Sequence, residues 1–268
     1  MSVELLADKV GLDFARGGNV TVALADFSVR VTESEFITVF GPSGCGKSSF
    51  LNLVAGFVKP TRGSLLLNGA PIRGPGADRG VVFQEHALFP WMTVERNIAY
   101  GPRVNGVADA EVGRIVAESL EMIGLQRFAR SYPKELSGGM KQRVAIARAL
   151  ATRPKMLLMD EPFAALDAQT RRFLQGELVR IWEHTRTTIL FITHSVDEAI
   201  LLSDRIVVMS ARPGTVKQVI DIKLARPRDE NQPQFVDYRR HISEQLQHEI
   251  DKSLIEFEAV DAKVIGAA

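Results

Sequence analysis

The chain has 268 residues, 46% of them hydrophobic and 24% charged, which suits a folded domain with one sizeable core. A formal net charge of +1 excludes an overall electrostatic pull toward nucleic acid or anionic lipid, though not a local patch. A single cysteine, Cys45, excludes an intrachain disulfide; MSVELLADKV lacks the pattern of a signal peptide, and no apolar run reaches the roughly eighteen residues of a membrane span. The polypeptide is therefore expected in a reducing, cytoplasmic setting, reaching a membrane only through a protein that crosses it.

In chain order, residues 24–31 and 63–68 read as hairpin strands with turns at Thr32-Glu33-Ser34 and Asn68-Gly69, predicting a small antiparallel sheet on the flank. FITVF (36–40) stops at Gly41 and is followed by a helical stretch over 48–54. VVF (81–83) stops at Gln84, MLLM (156–159) at Asp160, and ILFI (189–192) at Thr193 and His194. Apolar runs without alternation are what strands covered on both faces by helices look like. Helices are predicted over 109–123, 140–151 and about 167–184, with Arg153-Pro154 closing the second. Residues 85–151 read as an inserted helical subdomain. Arg226-Pro227-Arg228-Asp229 reads as a linker, after which Tyr238, Ile242, Leu246, Ile250 and Leu254 recur at four-residue steps. That spacing predicts an amphipathic helix packed on its own domain. The expected organisation is one domain over 3–235 and a helical extension over 236–268.

Strands alternating with helices predict an α/β fold with a mainly parallel sheet. Ligands bind at the carboxyl edge of such sheets, so Gly41, Gln84, Asp160 and His194 become candidates for one site. Gly41-Pro42-Ser43-Gly44-Cys45-Gly46-Lys47-Ser48 fits the P-loop pattern G-x-x-x-x-G-K-[ST], between a strand and a helix as the chemistry requires. The glycines let successive N–H groups face a phosphate, and the following helix adds its positive end. Lys47 then reaches the β- and γ-phosphates, and the Ser48 hydroxyl ligates Mg2+. The competing reading is a glycine turn with a surface lysine. Cys45 reads as a small loop filler rather than a reactive thiol. Asp160, at a strand end, suits Mg2+ directly or through water, and Glu161 is placed to polarise an attacking water if it lies within hydrogen-bond reach.

A second glycine-rich helix start, LSGG at 136–139, opens onto VAIARAL; an ordinary serine N-cap is the bland alternative. GPSGCGKSS, Gln84, LSGGM, MLLMDEP, Ala165-Leu166-Asp167 and His194 follow one another in the order found in ATP-binding cassette (ABC) ATPases, which the chain resembles from about residue 3 to about 235. The resemblance implies a RecA-like P-loop NTPase core flanked by an antiparallel β subdomain and a helical subdomain. It implies ATP and Mg2+ as ligands, with Gly41, Pro42, Ser43, Gly44, Cys45, Gly46, Lys47, Ser48 and Ser49 around the phosphates. It also implies a head-to-tail dimer, each ATP lying between the P-loop of one copy and the LSGG of the other. Ser137, Gly138 and Gly139 would then donate to a γ-phosphate held by Lys47 of the second copy, and Asp167 would help position that copy's P-loop. Gln84 would sense the γ-phosphate and Mg2+, His194 would contact the γ-phosphate, and Glu161 would serve hydrolysis. Phe14 stacks on adenine or, alternatively, is core. Met140 stands where glutamine is common and Ser49 where threonine is common; neither change removes a required hydroxyl, amide or charge.

GPGADRGVVFQEHALFPWMTVERNIAYG, EPFAALDAQTR and MSARPGTV resemble the nitrate/sulfonate/taurine importer ATPases, the first segment being closest to the taurine type. The resemblance implies a peripheral ATPase on the cytoplasmic membrane face, two separate permease subunits and, indirectly, a periplasmic solute-binding protein, with no nucleic acid. His86, Phe89, Trp91 and Met92 are candidates for docking the permeases, unless they are buried locally. A soluble ABC ATPase acting on nucleic acid or ribosomes is the alternative, but the long coiled-coil insertion or tandem cassette of those classes is missing. LSGG argues against a small-molecule kinase. The tail after residue 230 is too short for a full regulatory domain.

Overall fold

The structure, a computed structural model, describes residues 3–265. In chain order the amino-terminal part contains β1 (Val3–Arg16), β2 (Asn19–Thr32), β3 (Phe36–Phe40), α1 (Lys47–Ala55), β4 (Arg62–Leu67) and β5 (Ala70–Pro71). The middle contains β6 (Arg79–Val82), α2 (Val94–Val104), α3 (Asp109–Met122), α4 (Gly138–Leu150), β7 (Met156–Asp160) and α5 (Ala168–Thr185). The last part contains β8 (Thr188–Thr193), α6 (Val196–Leu202), β9 (Arg205–Met209), β10 (Val216–Asp221) and α7 (Pro233–Ile265). Two compact units emerge. Of the described residues, the first comprises 3–32, Phe36–Gly74 and 192–265, and the second comprises Glu33–Glu35 and Pro75–Phe191.

In the first unit an antiparallel sheet runs in the order β2-β1-β4-β5. The expected flanking sheet is present, with β1 as an additional strand at its centre. Gly17 and Gly18, both at positive φ, turn β1 into β2. The second sheet element of this unit is β10-β9-β3, with β3 and β9 parallel and β9 and β10 antiparallel. All five residues of β3 are buried, which explains why FITVF shows no alternation. The α1 helix buries Phe50, Leu51, Leu53 and Val54, and the Phe50 ring lies 4.4 Å from that of Phe27 on β2. Phe40, Ile200, Ile206, Val208, Phe235 and Ile242 form a further core, with Tyr238 and Leu246 packed against it. The amphipathic carboxyl-terminal helix is thus α7, seated on its own unit; Ile250 and Leu254 lie outside the described side chains.

Residues 226–229 do not form the expected linker. Arg228 is buried and its guanidinium donates to the carbonyls of Ile200, Leu201, Ser203, Ile222 and Leu224. Burial lowers its pKa to about 10, so it stays charged at neutral pH. Arg226 pairs with Asp204 at 2.7 Å. Two arginines flanking a proline look like polar loop composition; here they tie the segment to α6 and β10.

In the second unit β6 and β7 are parallel, within the order β8-β7-β6. Its helices enclose a core of Val94, Ile98, Leu120, Ile123, Leu136 and Val144. Each polar residue singled out at a strand end is placed as anticipated. Gly41 follows β3, Gln84 lies two residues past β6, Asp160 closes β7, and His194 follows β8.

Candidate functional site

The P-loop leaves β3 at Gly41 and enters α1 at Lys47. Gly44 (φ +77) and Gly46 (φ +104) are left-handed, a conformation that costs any residue with a Cβ. A Cβ on Gly46 would also lie 2.9 Å from the Ala23 carbonyl oxygen. Lys47 is 6% exposed, and its Nζ donates to the carbonyls of Gly41 and Pro42, both at 2.9 Å. Among the described residues no carboxylate pairs with it. A buried cation met only by neutral carbonyls leaves positive charge unbalanced, and an anion at the loop would offset it. The residues present therefore fit a phosphate ligand, and the reading of Lys47 as a surface lysine is removed.

Cys45 is buried with its Sγ 3.9 Å from Met209 Sδ. Burial pushes its thiol above the usual range, while Lys47 and Arg212 pull the other way. It is a packing residue, as its small size suggested. Ser43, Gly44 and Ser48 are exposed. Phe14 is 47% exposed, which excludes a core role.

His194 is exposed at the end of β8. Its flanks are fixed: buried Thr193 donates through Oγ1 to Glu198 at 2.5 Å, and Ser195 caps α6 by accepting from Glu198 N at 3.3 Å. Glu198 did not stand out in the sequence, and Thr193 did so only as the end of an apolar run, because their pairing needs the turn between strand and helix.

In the second unit, Ser137 does cap α4, its Oγ accepting from Met140 N at 3.3 Å, and it remains exposed. Asp167 caps α5 in the same way, accepting from Thr170 N at 3.0 Å. That backbone bond holds the Asp167 carboxyl below its usual range. The two helix starts meet. A Cβ on Gly139 would stand 2.7 Å from Thr170 Cγ2, and one on Gly138 would stand 3.4 Å from Leu166. Beside them a cavity of about 300 Å³ is lined by Ser137, Gly139, Arg143, Thr170 and Phe173. Glycine at 138 and 139 therefore lets α5 approach. Asp160 is half-buried, and Glu161 follows at φ +44, a left-handed backbone that non-glycine residues adopt at a cost.

Gln84 is exposed, and the loop after it carries an aromatic cluster. Phe89 stacks with Trp91 (5.7 Å) and Tyr100 (4.7 Å), and the Arg148 guanidinium lies over its ring at 5.4 Å. Trp91 is 68% exposed, whereas His86, Phe89 and Met92 are half-buried. Sequence reading missed the residue that shapes this loop, the fully buried Asn97. Its Oδ1 accepts from Phe89 N, and its Nδ2 donates to the carbonyls of Phe89, Met92 and Thr93. Burial and the Lys141 ammonium push the His86 imidazole below its usual value, against a hydrogen bond with the Gly138 backbone. The first loop residue and the LSGG helix start are therefore neighbours.

The sequence matches the ABC transporter family model over residues 24–164. An uncharacterised ABC transporter ATP-binding protein of Methanocaldococcus jannaschii is 50% identical over 254 residues, 95% of each chain. An aliphatic sulfonates import ATP-binding protein of Bacillus cereus is 45% identical over 241 residues, 90% of this chain and 95% of that one. A solved dimeric ATP-binding cassette in a post-hydrolysis state, bound to ADP and Pi, is 30% identical, with a TM-score of 0.71 over 82% of this chain and 100% of that one.

Proposed function

The chain belongs to the ABC transporter family, and on that premise we propose that it is the ATP-hydrolysing subunit of an importer of the nitrate/sulfonate/taurine group. The solute class we assign is a small sulfonate, carried through separate membrane subunits and delivered by a periplasmic binding protein. The name of the Bacillus cereus relative supports that class. No helix among the described residues is long and apolar enough to cross a membrane.

The roles are those the family resemblance implies at these positions, each with a chemistry its residue can supply. Lys47 and the P-loop amides bind and orient the β- and γ-phosphates of ATP. Ser48, Asp160 and Gln84 offer the hard oxygen donors that suit Mg2+, which when bound neutralises charge on the phosphate oxygens. Glu161 accepts a proton from the attacking water as its oxygen bonds to the γ-phosphorus and the bond to the β–γ bridging oxygen breaks. His194 holds the γ-phosphate. Ser137, Gly138 and Gly139 act on the nucleotide of a second copy, Asp167 supports that copy's P-loop, and Phe14 offers its exposed ring to adenine. The dimeric relative bound to ADP and Pi supports the pairing of two copies. His86, Phe89, Trp91 and Met92 form the permease-docking loop, with Trp91 as its exposed aromatic anchor.

The observation that carries this reading is Lys47: a buried ammonium in a glycine loop, partnered among the described residues by the carbonyls of Gly41 and Pro42. ATP turnover and size-exclusion chromatography with ATP and Mg2+ test it. Lys47→Ala is expected to lose binding and turnover. Glu161→Gln is expected to keep binding, lose turnover by roughly a hundredfold or more, and elute as a dimer. Wild-type turnover in either variant would remove that residue from its role.

A further inference from the structure

The turn after β9, residues 210–215, touches the P-loop at successive points. A Cβ on Gly41 would stand 3.1 Å from Met209 Cβ, and one on Gly214 would stand 2.1 Å from the Cys45 carbonyl oxygen. Between them, Arg212 donates from Nε (3.3 Å) and Nη2 (3.2 Å) to the Gly44 carbonyl. The turn itself is hydrogen-bonded on both sides. Gly214 N donates to Ala23 O and Ala25 N to Gly214 O, both at 3.0 Å, zipping it to β2. Ser210 Oγ is 2.8 Å from Thr215 Oγ1 and 3.0 Å from the Pro213 carbonyl. Ala211 N donates at 2.9 Å to Glu249 of α7, a carboxylate 3% exposed that also pairs with Lys217 at 2.8 Å.

We propose that Arg212, on a turn that Glu249 holds through the Ala211 N–H, is a positioning residue of the nucleotide site that fixes the Gly44–Cys45 peptide so that its N–H faces the phosphates. The proposal rests on the P-loop reading above. In a trans peptide the carbonyl and the following N–H point in opposite directions. A charged fork that grips the Gly44 oxygen from outside therefore aims the Cys45 N–H toward the concave side. The bond is charge-assisted, and it polarises a peptide within a left-handed nest, the geometry that binds anions. Cys45 N donates to the Pro42 carbonyl at 3.4 Å, a bond at the long limit that a phosphate oxygen would replace with a shorter, charge-assisted one. Arg212 is exposed, and among the described residues its hydrogen bonds both go to the Gly44 carbonyl, so the role proposed for it is the orientation of one peptide.

The test is calorimetric titration of the full chain with ATP and with ADP, alongside thermal melting without nucleotide and steady-state ATPase assays. Arg212→Ala is expected to weaken both nucleotides about tenfold, raise KM alike, and leave kcat at saturation within about twofold. Its melting temperature without nucleotide is expected to stay at the wild-type value. Arg212→Lys, which keeps the charge and one donor, recovers part of the loss, and Glu249→Gln gives a smaller loss in the same direction. Wild-type affinity in Arg212→Ala, while Lys47→Ala abolishes binding, would overturn the proposal and leave the P-loop reading intact. A melting temperature that falls in step with affinity would also overturn it, since the role would be structural. Wild-type binding in Lys47→Ala would defeat the P-loop reading and this proposal together.

Discussion

Gly139→Ala is a sharp test of the LSGG geometry, because helix propensity and packing predict opposite signs. Alanine is favoured over glycine in a helix by about 1 kcal/mol, so propensity alone predicts a more stable chain. The structure places the new Cβ 2.7 Å from Thr170 Cγ2 and 3.6 Å from Leu174 Cδ1. Comfortable carbon contacts are about 3.5–4.0 Å, so one side must retreat by about 1 Å. Thr170 is poorly able to yield: its N–H is bound to Asp167, and a helical threonine has few rotamers. Overpacking of this kind costs about 1–3 kcal/mol, giving a net loss near 1 kcal/mol once propensity is credited. The functional loss is expected to be larger, since a shift of about 1 Å at a positioned donor can cost about a hundredfold in rate. Thr170→Ser removes the offending methyl, so Gly139→Ala/Thr170→Ser is expected to restore ATPase activity and to match or exceed wild-type stability. The assays are denaturant midpoints and ATP turnover on all four members of the cycle. Full activity in Gly139→Ala alone, or no rescue by Thr170→Ser, would refute the reasoning.

Two further outcomes follow from the second unit. Asn97→Ala strips the loop at 89–93 of its buried partner and is expected to cost about 2–3 kcal/mol, with faster amide exchange at Phe89; unchanged exchange there would show that the loop stands without it. His86 titrates below 6.5 in the folded chain, so between the two values the unfolded chain binds the extra proton. Stability is therefore full above 6.5 and is lost as pH falls through the folded value. His86→Gln should flatten the stability-versus-pH curve in that window, and an unaltered slope would contradict the assignment.

The motifs readable from residue order were those whose partners are close in the chain. FITVF, the P-loop glycines and Lys47 are contiguous, and the covered strands betrayed themselves by apolar runs ending at Gly41, Asp160 and His194. The LSGG stretch was legible too, although its serine turned out to cap a helix as well as to stay exposed. What escaped depends on distant partners. β1 carries register shifts against β2 that blur its alternation. Arg212 meets Gly44 from 168 positions away, and no local pattern marks an arginine that grips a backbone carbonyl. Asn97 reads as one more polar helix residue until the loop folds over it. Residues 226–229 failed in the opposite direction, since the composition that suggests a tether is there a buried anchor.

That anchor sets where the chain can be cut. The five carbonyls met by Arg228 belong to the end of α6, to Ser203 just past it and to the segment after β10, so one guanidinium plugs acceptors from two separate stretches of the chain. A truncation designed to keep every nucleotide motif but stopping before residue 228 would leave those acceptors facing an apolar interior. The smallest fragment able to fold must therefore extend past the last residue that any nucleotide motif would recommend.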